Sequence, residues 1–164
     1  MTDLVPLATA LLENLRQRRL KVATAESCTG GLIAASLTEI AGSSDVVDRG
    51  FITYSNEAKS ELLGVHADLI GKHGAVSEEV ARAMAEGAIA RSRADVAIAV
   101  TGIAGPGGAT PTKPIGLVHL AVARRGGKVL HERHVFAGDR KQVRIATVER
   151  SFAMLDQAAG GAVP

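Results

Sequence analysis

The stretch LKVATAESCTGGLIAASLTEI, residues 20–40, changes its hydrophobic pattern halfway along. Its first part, residues 20–26, is short and mostly apolar, which is typical of a buried strand. Apolar residues at helical spacing follow Gly30 and Gly31, so the pattern predicts a helix from Thr29 to Ile40 with Thr29 as its cap. A strand that passes through a glycine turn into a helix is the repeating unit of α/β folds.

The same alternation continues along the chain. The run ADVAIAVTG, residues 94–102, is almost entirely apolar, as expected of a central strand covered on both faces. After it, a loop rich in glycine and proline precedes two β-type runs around RGG, which predict a hairpin. The pattern therefore predicts a three-layer α/β/α domain with a mixed, mostly parallel sheet, formed by residues 1–164 as a single domain. The other predicted elements are helices over 4–18, 56–63, 77–92 and 139–158, a helical turn or two in 66–74, a strand over 49–55, and a fraying tail after 157.

Composition narrows the class of protein. Aromatic residues make up only 2% of the 164, so the core must be aliphatic. The 19 Lys and Arg are interspersed with 17 Asp and Glu along the chain. Interspersed charges provide no broad surface for phosphates, and few aromatic rings are present to stack on bases, so we expect no nucleic-acid partner. The single cysteine fits a reducing compartment, and the chain contains neither a leader pattern nor an apolar run of membrane-spanning length. We therefore expect a cytoplasmic protein that does not bind membranes.

Eight segments in this order carry a resemblance to a known family: TAESCTGG (24–31), AGSS (41–44), RGFITYSNEAK (49–59), LGV (63–65), HGAVSEEVA (73–81), TGIAGPGG (101–108), KPIGLV (113–118) and FAGDR (136–140). Together they resemble the CinA C-terminal domain over roughly residues 8–158. We expect no room for the additional N-terminal domain that full CinA proteins carry.

Stand-alone versions of that domain are nicotinamide mononucleotide amidohydrolases, so the resemblance implies an enzyme of pyridine nucleotide recycling. It would convert nicotinamide mononucleotide to nicotinate mononucleotide and ammonia, with a small-molecule nucleotide as its partner. The five histidines form no metal-ligand pattern, and we expect neither a metal nor another cofactor. Two alternatives remain open: hydrolysis of another nucleotide in the same pocket, and a non-catalytic nucleotide-sensing or competence-associated interaction module. Small α/β enzymes often pair or form rings, so we also expect a homo-oligomer.

Amide hydrolysis needs a nucleophile, a proton carrier and donors for the oxyanion. Ser27 follows the first strand and is the candidate nucleophile. The resemblance suggests Lys59 as its base, which requires a neutral amine. Tyr54 is predicted either to stack on the pyridinium ring of the substrate or to relay protons between Ser27 and Lys59. Cys28 next to Ser27 is predicted to be a buried structural residue.

The remaining candidates are predicted to bind substrate. Gly102, Ile103 and Gly105 lie in the glycine-rich loop after the central strand, where backbone N–H groups could line a ligand. Arg140 lies in the first turn of the last predicted helix, where a cation is unfavourable unless an anion such as phosphate accompanies it. The other candidates are Arg144 one turn later, Thr29 and Gly30 beside Ser27, and Ser44 as a phosphate donor or a plain turn residue.

Overall fold

A computed structural model describes residues 3–160 of the chain. Five strands form one sheet: β1 (Val22–Glu26), β2 (Val47–Ile52), β3 (Val96–Gly102), β4 (Leu117–Arg124) and β5 (Val129–Val135). Six α-helices accompany them: α1 (Val5–Gln17), α2 (Leu32–Thr38), α3 (Asn56–Leu63), α4 (Ala67–His73), α5 (Glu78–Ala90) and α6 (Arg140–Ala158). A single 3₁₀ turn, Ser43–Asp45, precedes β2.

The sheet has the strand order β2-β1-β3-β4-β5. The β2–β1 and β1–β3 pairs are parallel, whereas β3–β4 and β4–β5 are antiparallel. Four of the five strands therefore run in one direction, and β4 alone opposes them. The predicted mixed sheet is confirmed, and so is the hairpin around RGG.

The two faces of the sheet bury side chains of different size. Val96, Ile98 and Val100 of β3 pack with α1, α2 and α6, whereas Ala97 and Ala99 face α5. The second face is built largely from alanine, which allows α5 to lie close to the sheet. The core is aliphatic, as predicted, and helices cover both faces, which confirms the α/β/α class.

Most element boundaries agree with the sequence predictions because local signals set them. Ser55 and Ser77 accept hydrogen bonds from backbone N–H groups at the starts of α3 and α5. Asp139 and Gln142 form the predicted capping box of α6, and Gly64 ends α3 with a φ of +69°.

Two predicted boundaries are wrong, and part of a third lies outside the described residues. The second helix begins at Leu32 rather than Thr29, because Gly30 and Gly31 adopt positive φ angles of 56° and 103° and extend the turn. The second strand covers Val47–Ile52 rather than 49–55, since Ser55 already caps α3. Residues 161–164 of the predicted fraying tail lie outside the described part of the chain.

Candidate active site

The turn between β1 and α2 is organised by a buried carboxylate, that of Glu26. Its two oxygens accept four hydrogen bonds: from the Thr29 hydroxyl at 2.7 Å, the N–H of Ile33 at 2.8 Å, the N–H of Ala34 at 3.0 Å and the Thr24 hydroxyl at 3.1 Å. Glu26 thus satisfies backbone donors at the start of α2 from the end of the preceding strand. The prediction that Thr29 caps this helix is wrong, because Gly31 is the N-cap residue and the Thr29 hydroxyl donates to Glu26 instead. The same buried contact keeps the Thr29 hydroxyl away from a ligand.

Ser27 follows Glu26 directly, at the carboxyl end of β1. Its N–H donates to the carbonyl oxygen of Val100 on β3, which fixes the backbone at the edge of the sheet. The Nζ atom of Lys59 lies 3.0 Å from the Ser27 Oγ. The two residues predicted to act together are therefore in direct hydrogen-bond contact, although 32 positions separate them in the sequence.

Lys59 is buried to an unusual degree, with 1% of its surface exposed. It extends from α3, and its Nζ also donates to the carbonyl oxygens of Thr53 at 2.8 Å, Tyr54 at 3.4 Å and Ser55 at 3.5 Å. Burial lowers the pKa of Lys59 from its ordinary value, because the charged amine loses hydration. The geometry suits a neutral amine that donates to Thr53 and accepts the hydrogen of the Ser27 hydroxyl.

Cys28 is buried beside this pair. Burial raises the pKa of its thiol to about 12, so the thiolate that nucleophilic attack requires is scarce near neutral pH. The structure thus supports the prediction of a structural cysteine at this position.

A cavity of about 230 Å³ opens next to Ser27 and Lys59. It lies at the carboxyl ends of β1, β2 and β3, the edge where open α/β sheets bind ligands. Sequence reasoning missed several of the residues that line this cavity, because their side chains are small or apolar and indicate no particular chemistry. The lining residues are Ser27, Cys28, Tyr54, Asn56, Lys59, Ala75, Val76, Thr101, Gly102, Ala104 and Arg140.

Tyr54 lies at the mouth of the cavity, with 62% of its surface exposed. Its hydroxyl accepts a hydrogen bond of 3.3 Å from Nη2 of Arg140. Because Lys59 contacts Ser27 directly, the geometry leaves no gap for Tyr54 to bridge as a proton relay. The exposed ring remains available for stacking.

The two arginines of α6 differ in what they contact. Arg140 is exposed and donates from Nη1 to the carbonyl oxygen of Gly105 at 2.9 Å, so it joins the glycine-rich loop to the cavity mouth. Arg144 is half-buried and donates to the carbonyl oxygens of Cys28 at 3.2 Å and Thr29 at 2.9 Å. Arg144 therefore holds the turn that carries Ser27, and Arg140 is the better placed of the two to meet an anion.

Three of the predicted binding residues have other positions or other partners. The N–H of Ile103 donates to Leu117, so it is not free for a ligand. Gly102 lines the cavity, whereas Gly30 lies in an exposed turn near Arg144. Ser44 belongs to the 3₁₀ turn before β2, at the end of the sheet opposite the cavity, which fits the plain turn residue of the two roles predicted for it.

Two further observations concern residues 3–160. In this part of the chain no group of three or more His, Cys, Asp and Glu side chains is arranged to hold a metal ion. No helix among these residues has the length and hydropathy needed to cross a bilayer.

Fold and site together define an α/β protein with a buried serine–lysine pair at the carboxyl edge of its parallel strands. The model of the CinA C-terminal domain family matches residues 4–159, and the chain belongs to this family. The resemblance inferred from the eight segments is thereby confirmed.

Solved structures and curated relatives agree with this assignment. The competence/damage inducible protein CihA from Agrobacterium tumefaciens is 52% identical, with a TM-score of 0.93 over 98% of this chain and 97% of that one. A CinA superfamily protein from Escherichia coli is 37% identical, with a TM-score of 0.90 over 95% and 90% of the two chains. A CinA-like protein of Akkermansia muciniphila is 52% identical over 146 residues, which are 89% of this chain and 35% of that protein. The chain spans about a third of the length of the curated relatives it matches.

Proposed function

We propose that this chain hydrolyses the carboxamide of nicotinamide mononucleotide, giving nicotinate mononucleotide and ammonia. The observation that carries the proposal is the 3.0 Å contact between Nζ of Lys59 and Oγ of Ser27 inside a cavity. A hydroxyl is a weak nucleophile, and an adjacent neutral amine is one of the groups that activate it. The burial that lowers the pKa of Lys59 favours that neutral form.

The reaction follows from this pair. Lys59 removes the proton of the Ser27 hydroxyl while Oγ bonds to the carboxamide carbon. The resulting tetrahedral intermediate collapses, the carbon–nitrogen bond breaks, and the departing nitrogen takes the proton from Lys59 to leave as ammonia. Water, activated by the same amine, then hydrolyses the ester on Ser27. In the alternative without a covalent step, Ser27 and Lys59 position a water molecule that attacks the carbon directly.

The oxyanion needs backbone or side-chain donors near the attacking atom. Within residues 3–160 the N–H groups of Cys28 and Thr29 donate to no protein acceptor. They follow Ser27 in the turn that Glu26 and Arg144 brace from either side. We assign the oxyanion to these two donors, since the N–H that follows Gly102 is already bound to Leu117.

The substrate carries a positive ring at one end and a phosphate at the other. Tyr54 offers an exposed ring at the cavity mouth on which the pyridinium can stack. Arg140 adjoins it through the 3.3 Å contact to the Tyr54 hydroxyl, and its guanidinium suits a phosphate. One cavity edge thus presents groups of the right chemistry to both ends of the nucleotide.

The test is ammonia release from nicotinamide mononucleotide by wild type, Ser27→Ala and Cys28→Ala. We expect Ser27→Ala to keep its fold and lose more than about a hundredfold in kcat/KM, the scale for removal of a nucleophile or base. Cys28→Ala is the matched control and should stay within a few fold. A panel of other nucleotides measures specificity. Absence of ammonia release by folded wild type would refute the activity, and a dead Cys28→Ala beside an active Ser27→Ala would move the chemistry to the thiol.

A further inference from the structure

The end of the sheet at which the parallel strands begin, opposite the cavity, carries an excess of positive charge. We call it the basic edge and define it by four segments that precede or join strands there: residues 16–21, 39–49, 91–95 and 124–128. These segments hold ten of the 19 Lys and Arg of the chain but only four of its 17 Asp and Glu. The basic edge therefore has a formal charge of +6, whereas the rest of the chain has −4, although the whole chain has only +2.

Hydrogen bonds show that the four segments form one continuous surface. Arg49 donates to the carbonyl oxygen of Arg91 at 3.0 Å, and Lys21 donates to that of Asp45 at 3.2 Å. Arg125 donates to the carbonyl oxygens of Ser92 at 2.9 Å and of Ala94 at 3.0 Å. The turn between β4 and β5 is thereby joined to the segment that leads into β3.

Most of this charge is not neutralised by carboxylates. Among the described residues, only Arg16 and Arg49 of the ten cations form salt bridges. Arg91, Arg124 and Arg125 donate to backbone carbonyl oxygens instead, and a carbonyl carries no formal charge. Carbonyl groups at helix ends favour nearby cations, which explains why arginine is tolerated here. These contacts hold the guanidinium groups in fixed positions without cancelling their charge.

We propose that the basic edge binds the phosphate backbone of double-stranded nucleic acid. Five strands spaced by about 4.8 Å make the edge roughly 19 Å wide, a length over which a duplex presents about eleven phosphates. Eight of the ten cations are arginines, whose planar donors match phosphate geometry.

The surroundings of the basic edge favour a duplex over other polyanions. The four segments contain no aromatic residue, so the stacking on which single strands depend is missing. The four segments also contain none of the large exposed hydrophobics of the described residues, whereas membrane binding needs apolar side chains that enter the bilayer. This interaction is independent of the proposed amidase, because the cavity lies at the other edge. It also reverses the expectation of no nucleic-acid partner, which rested on charges interspersed along the chain.

The test measures binding of a fluorescent 20-base-pair duplex to the full chain by anisotropy, between 50 and 200 mM salt. The edge variant is Arg19→Asn with Arg93→Gln, where asparagine suits the positive φ of 57° at position 19. The control, Lys72→Gln with Arg133→Gln, removes two exposed cations from other faces. Both variants have the same net charge, so total charge alone cannot distinguish them.

We expect wild type to bind with a Kd in the range of about 10⁻⁶ to 10⁻⁴ M at physiological salt. The edge variant should bind at least about tenfold more weakly, with a salt slope shallower by about 1.8, while the control keeps the wild-type slope. No duplex binding by wild type at 50 mM salt would overturn the proposal, and so would equal losses in the two variants. Tighter binding to a single strand, or binding only to phosphatidylserine vesicles, would also overturn it.

Discussion

Replacing Lys59 by methionine separates the chemistry of the buried amine from its contribution to stability. Methionine has a similar volume and no charge, so the core stays filled while the proton acceptor for Ser27 disappears. We expect kcat/KM to fall at least about a hundredfold, the usual scale for loss of a general base. The free energy of unfolding at pH 7 should stay within about 2 kcal/mol of wild type.

The small change in stability results from two opposing contributions. Losing Nζ leaves the buried carbonyl oxygen of Thr53 without its 2.8 Å donor, which costs about 1–3 kcal/mol. Replacing the buried amine by an apolar side chain of similar size removes the penalty of taking that polar group out of water, and this penalty is of comparable size. The net effect is therefore small, whereas the catalytic effect has no compensating contribution.

The difference in stability between the two proteins should also depend on pH. The pKa of Lys59 is lowered in the folded protein, whereas an unfolded lysine keeps its proton up to about 10.5. Between these two values the unfolded state binds more protons, so the stability of wild type rises with pH relative to Lys59→Met. Urea unfolding at pH 7 and pH 9 measures this difference, and Lys72→Met, on the exposed face of α4, is the control that should show none.

Two outcomes would refute the reasoning about Lys59. A folded Lys59→Met that keeps more than a tenth of the wild-type kcat/KM would show that the amine is not the base. A loss of stability above about 4 kcal/mol would show that the contacts of Nζ serve mainly to hold the fold.

Two further substitutions examine the supports of the site. Glu26→Gln places an amide where backbone N–H groups need an acceptor, so it should lower the free energy of unfolding in urea by about 1–3 kcal/mol and also lower kcat. Thr24→Val is the control, because it removes only the longest of the four contacts, and it should destabilise the protein less. Equal destabilisation by the two variants would contradict the role of Glu26 as the acceptor for the start of α2. Arg140→Ala should raise KM for the nucleotide at least about tenfold with a smaller change in kcat. Ser44→Ala, at the opposite edge, should leave both constants unchanged, and an unchanged KM in Arg140→Ala would remove Arg140 from the binding site.

The fold follows from the sequence to the extent that its signals are local. A cap such as Ser77 acts on an N–H three residues later, and the capping box of Asp139 and Gln142 is equally short in range. The apolar run of β3 indicates a strand covered on both faces wherever it lies in the sheet. These elements form as the pattern predicts because neighbouring residues decide them.

The parts that sequence reasoning missed depend on what the strands bring together. Glu26 looks like any charged residue at the end of a strand, and only the turn of Gly30 and Gly31 brings the start of α2 back onto its carboxylate. The sequence leaves Ser44 open between a phosphate donor and a turn residue, because a strand's direction in the sheet is not written in its sequence. The basic edge was missed for the same reason, since four segments far apart in the chain contribute its charge.

The position of Lys59 leads to a last prediction about how substrate binding affects the amine. Burial lowers the pKa of Lys59, but the three carbonyl oxygens within 3.5 Å of Nζ are acceptors that a protonated amine satisfies better. In the proposed complex a pyridinium ring adds a positive charge at the mouth of the same cavity, which lowers the pKa of Lys59 further.

The pH profile of kcat reports the pKa of Lys59 in the complex, and that of kcat/KM reports it in the free enzyme. The rise of activity with pH should therefore occur at lower pH in kcat than in kcat/KM. Ammonia release measured across pH at saturating and limiting substrate gives both profiles. The matched control is a benzamide analogue of the nucleotide, which keeps the phosphate but has a neutral ring. Its kcat limb should not move to lower pH, because its ring brings no positive charge to the cavity. If the two limbs coincide for nicotinamide mononucleotide, the substrate does not lower the pKa of Lys59, and burial alone must supply the neutral amine.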